Sequence, residues 1–435
     1  MKNNTPNAWT WIPSLYFAQG LPYVVVITVS VIMFKRLGMS NTNIALYTSG
    51  LNLPWVLKPL WSPLVDILKT KRWWIVAMQL LIGAGLGGIA LTLQAPLSIR
   101  FCLIFMWLLA FSSATHDIAA DGFYMLALNE QTQAYFVGIR NTFYRLAVIF
   151  GQGLLVMLAG LFETHYTERI NEKLAIPQAW TLTFYILTAI FAFLFIFHHW
   201  ILPRPQSDQS AIQQQTSNLR TIFQEFGNTF GTFFTKKGIF PALTFILLYR
   251  FAESQLVKIA SPFLLDHNEV GGLGLSTTEV GFIYGTIGVI ALTLGGIAGG
   301  IVIAKKGLKA CLWSMTTALN LPNLVYLFLA FTLSSDTLLI SGCVAIEQFG
   351  YGFGFTSLTF FMMQFSQGKH QTTHYALCTG FMALGMMLPG MWSGWIEEQI
   401  GYQNFFFWIM FCTIPSFIAT HYIRPVINKL NHSTK

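Results

Sequence analysis

Charge is what this sequence has least of. Only 10% of its 435 residues are Asp, Glu, Lys or Arg, against about 25% in a soluble globular chain. So few charges cannot solvate a water-facing surface, which excludes a soluble enzyme and a disordered chain. Cysteine is also scarce. The five present, Cys102, Cys311, Cys343, Cys378 and Cys412, sit singly in apolar runs with no C-x-x-C spacing. That excludes a secreted disulfide scaffold and gives no sign of a metal site. No phosphate-cradling G-x-x-x-x-G-K-[ST] loop occurs, so ATP drive is unsupported. Neither H-E-x-x-H nor G-x-S-x-G is found. The polar start, followed by a long apolar run without a cleavage site, predicts no cleavable signal peptide.

What is present in excess is apolar sequence: 54% hydrophobic and 15% aromatic residues, with a mean hydropathy of +0.56. Runs near the roughly 20 residues needed to cross a bilayer fall at 9–34, 41–65, 73–94, 100–128, 134–162, 178–202, 238–265, 277–303, 309–333, 337–365, 371–396 and 403–424. They do not alternate apolar with polar, as barrel strands would. Helices remain, because lipid leaves no other way to satisfy the backbone. The expectation is an all-α polytopic membrane protein of about twelve transmembrane helices.

The formal charge of +8 reads as orientation, not as nucleic-acid binding. With the N-terminus inside, Lys69, Lys71, Arg72, Arg204, Arg220, Lys236, Lys237, Lys305, Lys306, Lys309, Lys369, Arg424 and Lys429 all fall on one set of breaks. The opposite breaks hold fewer: Lys35, Arg36, Arg100, Arg169 and Lys173. Both termini are therefore expected in the cytoplasm.

The longest polar break divides the chain into 1–203, a linker 204–237, and 238–435, with six helices on each side. The linker opens on Pro203-Arg204-Pro205 and a Gln/Ser-rich stretch. Leu219, Ile222, Phe223, Phe226, Phe230, Phe233 and Phe234 then recur every three or four residues. That spacing predicts an amphipathic helix on the cytoplasmic face. The two halves echo each other. Ser62-Pro63-Leu64-Val65-Asp66-Ile67-Leu68-Lys69-Thr70-Lys71-Arg72 follows helix 2, and Gly300-Ile301-Val302-Ile303-Ala304-Lys305-Lys306-Gly307-Leu308-Lys309 follows helix 8. Both resemble the major facilitator signature loop, G-x-x-x-D-R-x-G-R-K. The first keeps the acid and loses the glycines; the second keeps glycines and basic residues but has Ala304 at the acid position. Asp66, Lys71, Arg72, Gly300 and Lys305 are thus candidate gating residues. The resemblance implies two parallel six-helix repeats.

Ionisable side chains inside a membrane helix cost about 2.5–3.5 kcal/mol each on insertion scales, so those present mark cavities or sites. They are Lys58 in helix 2, Asp117 and Asp121 in helix 4, Arg140 and Arg145 in helix 5, Arg250, Glu253 and Lys258 in helix 7, and Glu347 in helix 10. Helices 3, 6, 9 and 12 carry none in their interiors, as lipid-facing helices of a major facilitator bundle would. Asp117 and Asp121 share a face at i, i+4; they suit proton carriage, or alternatively pair with helix 5 arginines as structure. Arg140 is alternatively a partner of Asp66. Arg250 and Glu253 are spaced to pair within helix 7, which would leave Lys258 for an anionic ligand. Glu347 is either protonated or paired across the bundle. Gln19 and Tyr23 flank Gly20 and Pro22 in a loosened stretch of helix 1. In helix 10, Gly350, Gly352 and Gly354 alternate with aromatics, suited to close packing or to stacking on sugar rings.

Taken together, Tyr16-Phe17-Ala18-Gln19-Gly20-Leu21-Pro22-Tyr23, Leu53-Pro54-Trp55-Val56-Leu57-Lys58-Pro59-Leu60-Trp61-Ser62-Pro63-Leu64-Val65-Asp66, Asp117-Ile118-Ala119-Ala120-Asp121-Gly122 and Tyr144-Arg145-Leu146 resemble the AmpG-type muropeptide permeases. In the second half Tyr249-Arg250 with Glu253, Pro262-Phe263 and Gly271-Gly272-Leu273-Gly274-Leu275-Ser276 continue the match. The resemblance implies a major facilitator carrier in the bacterial inner membrane. It also implies proton-driven import of N-acetylglucosaminyl-anhydro-N-acetylmuramyl peptides for cell-wall recycling. Asp117, Asp121, Glu253 and Glu347 are the expected proton carriers. Gln19, Tyr23, Lys58, Arg145, Arg250 and Lys258 are expected to bind a small anionic, amphiphilic or glycopeptide substrate. The expected partners are the lipid bilayer and that substrate, with no cofactor, no nucleic acid and a monomeric chain. Rival readings are a carrier of acetyl-CoA or a siderophore, a membrane enzyme on lipid-linked sugars with Asp117 and Asp121 as acid and base, and a receptor that does not transport.

Overall fold

The computed structural model describes residues 7–95, 98–209, 227–228, 230–368 and 371–433; the side chain of Asp66 lies outside the described set. These residues form α-helices joined by short turns, with no strand among them. In chain order they are α1 (Ala8–Arg36), α2 in two pieces (Asn41–Gly50, α2a; Leu53–Leu68, α2b), α3 (Lys71–Thr92), α4 (Ser98–Ala127), α5 (130–167) and α6 (Glu172–Ile201). The second half holds α7 in two pieces (Ile239–Leu248, α7a; Phe251–Leu265, α7b), α8 (Thr277–Lys306), α9 (Leu308–Thr332), α10 (Thr337–Ser366), α11 (371–400) and α12 (402–433).

Nine stretches among the described residues are long and apolar enough to cross a membrane. One of them, Thr373–Asn428, contains both α11 and α12, which turn at Gly401, φ 74°. The other two helices, α2 and α7, miss that criterion because each is broken in the middle and charged inside. Twelve crossings result.

Capping explains where many helices begin. Asn7, Ser40, Thr70, Asn129, Asn171 and Asp336 each accept a hydrogen bond from a first-turn amide, and Ser276 forms a capping box with Glu279. Each cap satisfies a donor that the helix itself leaves open. Three π-helical turns, Val25–Val29, Phe150–Leu154 and Gly281–Gly288, interrupt α1, α5 and α8. Such bulges free backbone groups and often mark functional segments.

The chain divides into two compact units. The first comprises residues 1–33 and 57–226, the second 34–56 and 227–435. In unit 1 the core gathers Trp11, Leu15, Tyr16, Val65, Ile75, Phe123 and Leu202. The end of the unit that carries the turn between α2b and α3 is tied by Asp208, whose carboxylate accepts from the amides of Lys71 and Arg72 at 2.7 and 2.9 Å. Arg72 also donates to the carbonyls of His199 and Leu202.

In unit 2 the alternating glycines of α10 face two neighbours. A Cβ on Gly352 would clash with the backbone of Leu292 on α8, and one on Gly350 or Gly354 with the backbone of Ala318 or Met315 on α9. Small residues let membrane helices approach to backbone contact, and here three of them serve two interfaces. The expected amphipathic linker helix falls largely on residues 210–226, outside the described set. Its last turn is described: Phe233 is fully buried in the unit 2 core and stacks on Phe381 at 6.2 Å. Lys236, beyond the spans, donates to the carbonyls of Phe365 and Gln367 at 2.6 and 3.0 Å. Burial pushes its ammonium below the usual lysine range.

Candidate functional site

In unit 1 the intramembrane charges converge on one face of α4. Asp117 accepts hydrogen bonds from Lys58 on α2b and from Gln19 on α1. One turn on, Asp121 accepts from the Tyr16 hydroxyl at 3.2 Å and lies 3.6 Å from Arg140 on α5. Arg140 donates to the Tyr16 hydroxyl at 3.1 Å, and its guanidinium stands 5.0 Å from the ring centres of both Tyr16 and Tyr124. The i, i+4 spacing places the two carboxylates together, and each has acquired its own cation. Of the two expected helix 5 arginines only Arg140 pairs with this acid pair; Lys58 holds the other. Tyr23 and Arg145, together with both carboxylates, lie within electrostatic range of Tyr144.

In unit 2 the geometry differs from the expectation. No hydrogen bond or ion pair joins Arg250 to Glu253 among the described residues. The chain breaks at Tyr249-Arg250, where Arg250 takes φ −108°, ψ 25°. The break is pinned from both sides: Ser416 donates to the Tyr249 carbonyl at 2.7 Å, and the Tyr249 hydroxyl meets the Gly354 carbonyl and Ser357 at 3.1 and 2.8 Å. This turns Arg250 toward α10. Its guanidinium stands 4.9 Å from the Tyr351 ring and 4.7 Å from the Phe355 ring, and it donates to the Tyr351 hydroxyl. Stacking on two rings stabilises a desolvated cation without a carboxylate. Arg250 is only 8% exposed, and its Nε is buried with no partner.

Glu253 and Glu347 are each 2% exposed and interact electrostatically with each other. Glu253 Oε2 and Glu347 Oε1 have no hydrogen-bond partner, while the other Glu347 oxygen accepts from Gln348 at 3.0 Å. Lys258 is buried as well. Its Nζ donates to Thr48 on α2a at 3.2 Å and meets no carboxylate among the described residues. Of the remaining candidates, Gly300 and Lys305 are exposed at the end of α8, and Lys71 is buried at the start of α3.

Two further polar constellations lie outside the nine intramembrane charges singled out in the sequence. Gln79 on α3 bridges the imidazoles of His116 and His198 at 3.1 and 2.8 Å, and His198 meets Ser14 at 2.9 Å. Gln79 and both histidines are fully buried. In unit 2, Asn41 takes Lys35 at 2.8 Å on its oxygen and donates to Glu397 and Tyr402 at 2.6 and 2.9 Å. The signal available for the first was Gln79, a polar side chain in the apolar interior of α3.

The sequence profile of the Major Facilitator Superfamily matches residues 14–390. The chain belongs to the Major Facilitator Superfamily. It is a multi-pass membrane transporter, not an enzyme. It is 23% identical over 416 residues to the anhydromuropeptide permease of Escherichia coli K12, covering 93% of this chain and 77% of that one. It is 25% identical to a Rickettsia felis protein designated AmpG 4, covering 95% and 96%. The similarity to AmpG-type permeases thus spans both halves. Among solved structures, the D-xylose-proton symporter superposes with a TM-score of 0.69 at 11% identity, covering 95% of this chain and 96% of that one. At that identity the likeness shows the fold.

Proposed function

We propose that this transporter imports anhydromuropeptides across the bacterial inner membrane, driven by the proton gradient and without a cofactor. The observation that supports it most is that each unit brings a pair of carboxylates together with cations inside the helical bundle. Unit 1 offers Asp117 and Asp121 with Lys58, Arg140 and Arg145. Unit 2 offers Glu253 and Glu347 with Arg250 and Lys258. The carboxylates carry protons; the cations, with Gln19 and Tyr23, meet the substrate's carboxylates. The repeats 1–203 and 238–435 alternate access about the 204–237 linker, with Asp66, Lys71, Arg72, Arg140, Gly300 and Lys305 at the cytoplasmic gate. Both termini face the cytoplasm and the chain works as a monomer. The similarity to a permease named for anhydromuropeptides supports the substrate.

The test is uptake of radiolabelled anhydromuropeptide into right-side-out vesicles, with and without an imposed proton gradient. Gradient-dependent accumulation is expected. Equal uptake without a gradient rules out proton coupling. Absence of uptake, with acetyl-CoA or a ferric siderophore taken up instead, rules out the substrate.

A further inference from the structure

Arg250 and Glu253 stand three residues apart at the α7 break, interact electrostatically, and yet form no bond. The guanidinium is instead held flat by Tyr351 and Phe355, with Nε left unsatisfied in a buried position. A buried donor without an acceptor is costly, and the Nε–Nη edge is the fork that a planar carboxylate bridges with two parallel hydrogen bonds. Arg250 also supplies a positive charge that acts on Glu253, whose Oε2 is itself buried and unsatisfied. The titratable groups in electrostatic contact with Glu253 are Arg250 on its own helix, Glu347 on α10, Tyr284 on α8 and Tyr326 on α9. Only one of them is positive.

We propose that a carboxylate of the transported molecule binds the clamped guanidinium of Arg250 and competes with Glu253 for its charge, so that each carboxylate bound brings one proton onto Glu253. The incoming anion neutralises Arg250, and Glu253 is left facing Glu347 with no compensating cation. Two like-charged carboxylates in one dry site do not both stay ionised. A proton from solvent adds to the Glu253 carboxylate, no other bond is made or broken, and the net charge of the site is unchanged. Tyr351 and Phe355 are positioning residues: they hold the guanidinium edge open and keep it away from Glu253. This rests on the substrate reading above and adds which group of the substrate couples to which acid.

The experiment uses the purified full-length chain in nanodiscs and two ligands: the anhydro-disaccharide bearing a single alanine, with one carboxylate, and its alaninamide. Calorimetry in buffers of different ionisation enthalpy counts protons taken up on binding. About one proton per molecule of the acid ligand is expected, none for the amide, and a tenfold or larger preference for the acid. Arg250→Lys keeps the charge but loses the fork and the stacking, so it should abolish the preference, bringing acid and amide to equal affinity with no proton taken up for either. Phe355→Leu should weaken acid binding more than amide binding. Glu253→Gln should bind the acid ligand with no proton uptake. If that variant does not fold, infrared difference spectra of the native protein supply the same reading as a carboxylate-to-carboxyl change on ligand addition. Equal binding of acid and amide without proton uptake overturns the competition and leaves the substrate reading standing. Binding of neither ligand overturns the substrate reading and the competition with it. Proton uptake that persists in Glu253→Gln overturns the assignment to Glu253.

Discussion

Lys35 Nζ lies 2.6 Å from the carboxylate of Asp266. The pair closes a ring, because the Tyr402 hydroxyl donates to the same Asp266 oxygen at 2.6 Å, Asn41 donates to Tyr402, and Lys35 donates to Asn41. The ring fixes residues 34–56, which are chain-continuous with unit 1 on both sides, onto unit 2. The fit is close enough that a Cβ on Gly394 would clash with the Asn41 carbonyl and the Thr42 amide.

The ring should therefore govern how often α2a lifts off. Side-chain exposure is 14% for Lys35 and 21% for Asp266; Asn at 266 still offers Lys35 an amide oxygen and Lys35 keeps its bond to Asn41, so the substitution costs about 1 kcal/mol, the size of one hydrogen bond, or about fivefold in an opening equilibrium. Maleimide labelling of an Ala45→Cys reporter, buried in α2a, should be about fivefold faster when Asp266 is replaced by Asn. Unchanged labelling would mean that apolar packing alone holds the segment.

The Lys58–Asp117 pair predicts a thermodynamic cycle. Both side chains are about four-fifths covered, at 22% and 18% exposure. Removing one partner of a largely buried pair strands a charge and costs about 3 kcal/mol, whereas removing both costs far less. Lys58→Met should lower the melting temperature in detergent clearly, and Lys58→Met with Asp117→Asn should recover much of the loss. Additive losses would show that the two residues act separately.

How far the sequence foretold this arrangement depends on the kind of information each residue carries. The helices were legible because lipid forces them from apolar runs of fixed length. The charged candidates were legible because an ion in lipid is anomalous wherever it sits. Their partners were not. Whether Asp117 meets Lys58 or a helix 5 arginine is decided by the rotation of α2 and α5 against α4. Whether Arg250 meets Glu253 or Tyr351 is decided by a break at Tyr249, which no proline or glycine announces. Lys35 and Asp266 counted only as loop charges, since their meeting requires segments more than two hundred residues apart. Gln79 and His198 escaped notice because neutral polar residues do not register in a census of charge.

The glycines of α10 make a packing prediction. Gly352→Ala adds one methyl against the Leu292 carbonyl on α8, with backbone on both sides and no flexible side chain to give way. Overpacking of this kind costs about 1–3 kcal/mol. Gly342 lies on the same helix with open space around it, so Gly342→Ala should be neutral or slightly stabilising, since alanine is the better helix former. Thermal melts of the two variants should separate, with Gly352→Ala lower. Equal melts would mean that α8 and α10 slide apart at little expense.

The buried Gln79–His116–His198 bridge predicts an asymmetry between single and double substitutions. Gln79 occupies a hydrogen-bonding nitrogen on each imidazole, and His198 also holds Ser14. Gln79→Leu strands both imidazoles in a dry interior, at about 1–3 kcal/mol for each unsatisfied group. Adding His198→Leu removes one of the stranded groups, so the double variant should melt higher than Gln79→Leu alone, although it carries one more substitution. Uptake by the double variant in vesicles should stay close to the native rate when normalised to folded protein, because the two substituted residues lie on α3 and α6 and neither is a hydrogen-bond partner of Asp117. A double variant with a native melting temperature and no uptake would transfer these histidines from the scaffold to the transport machinery.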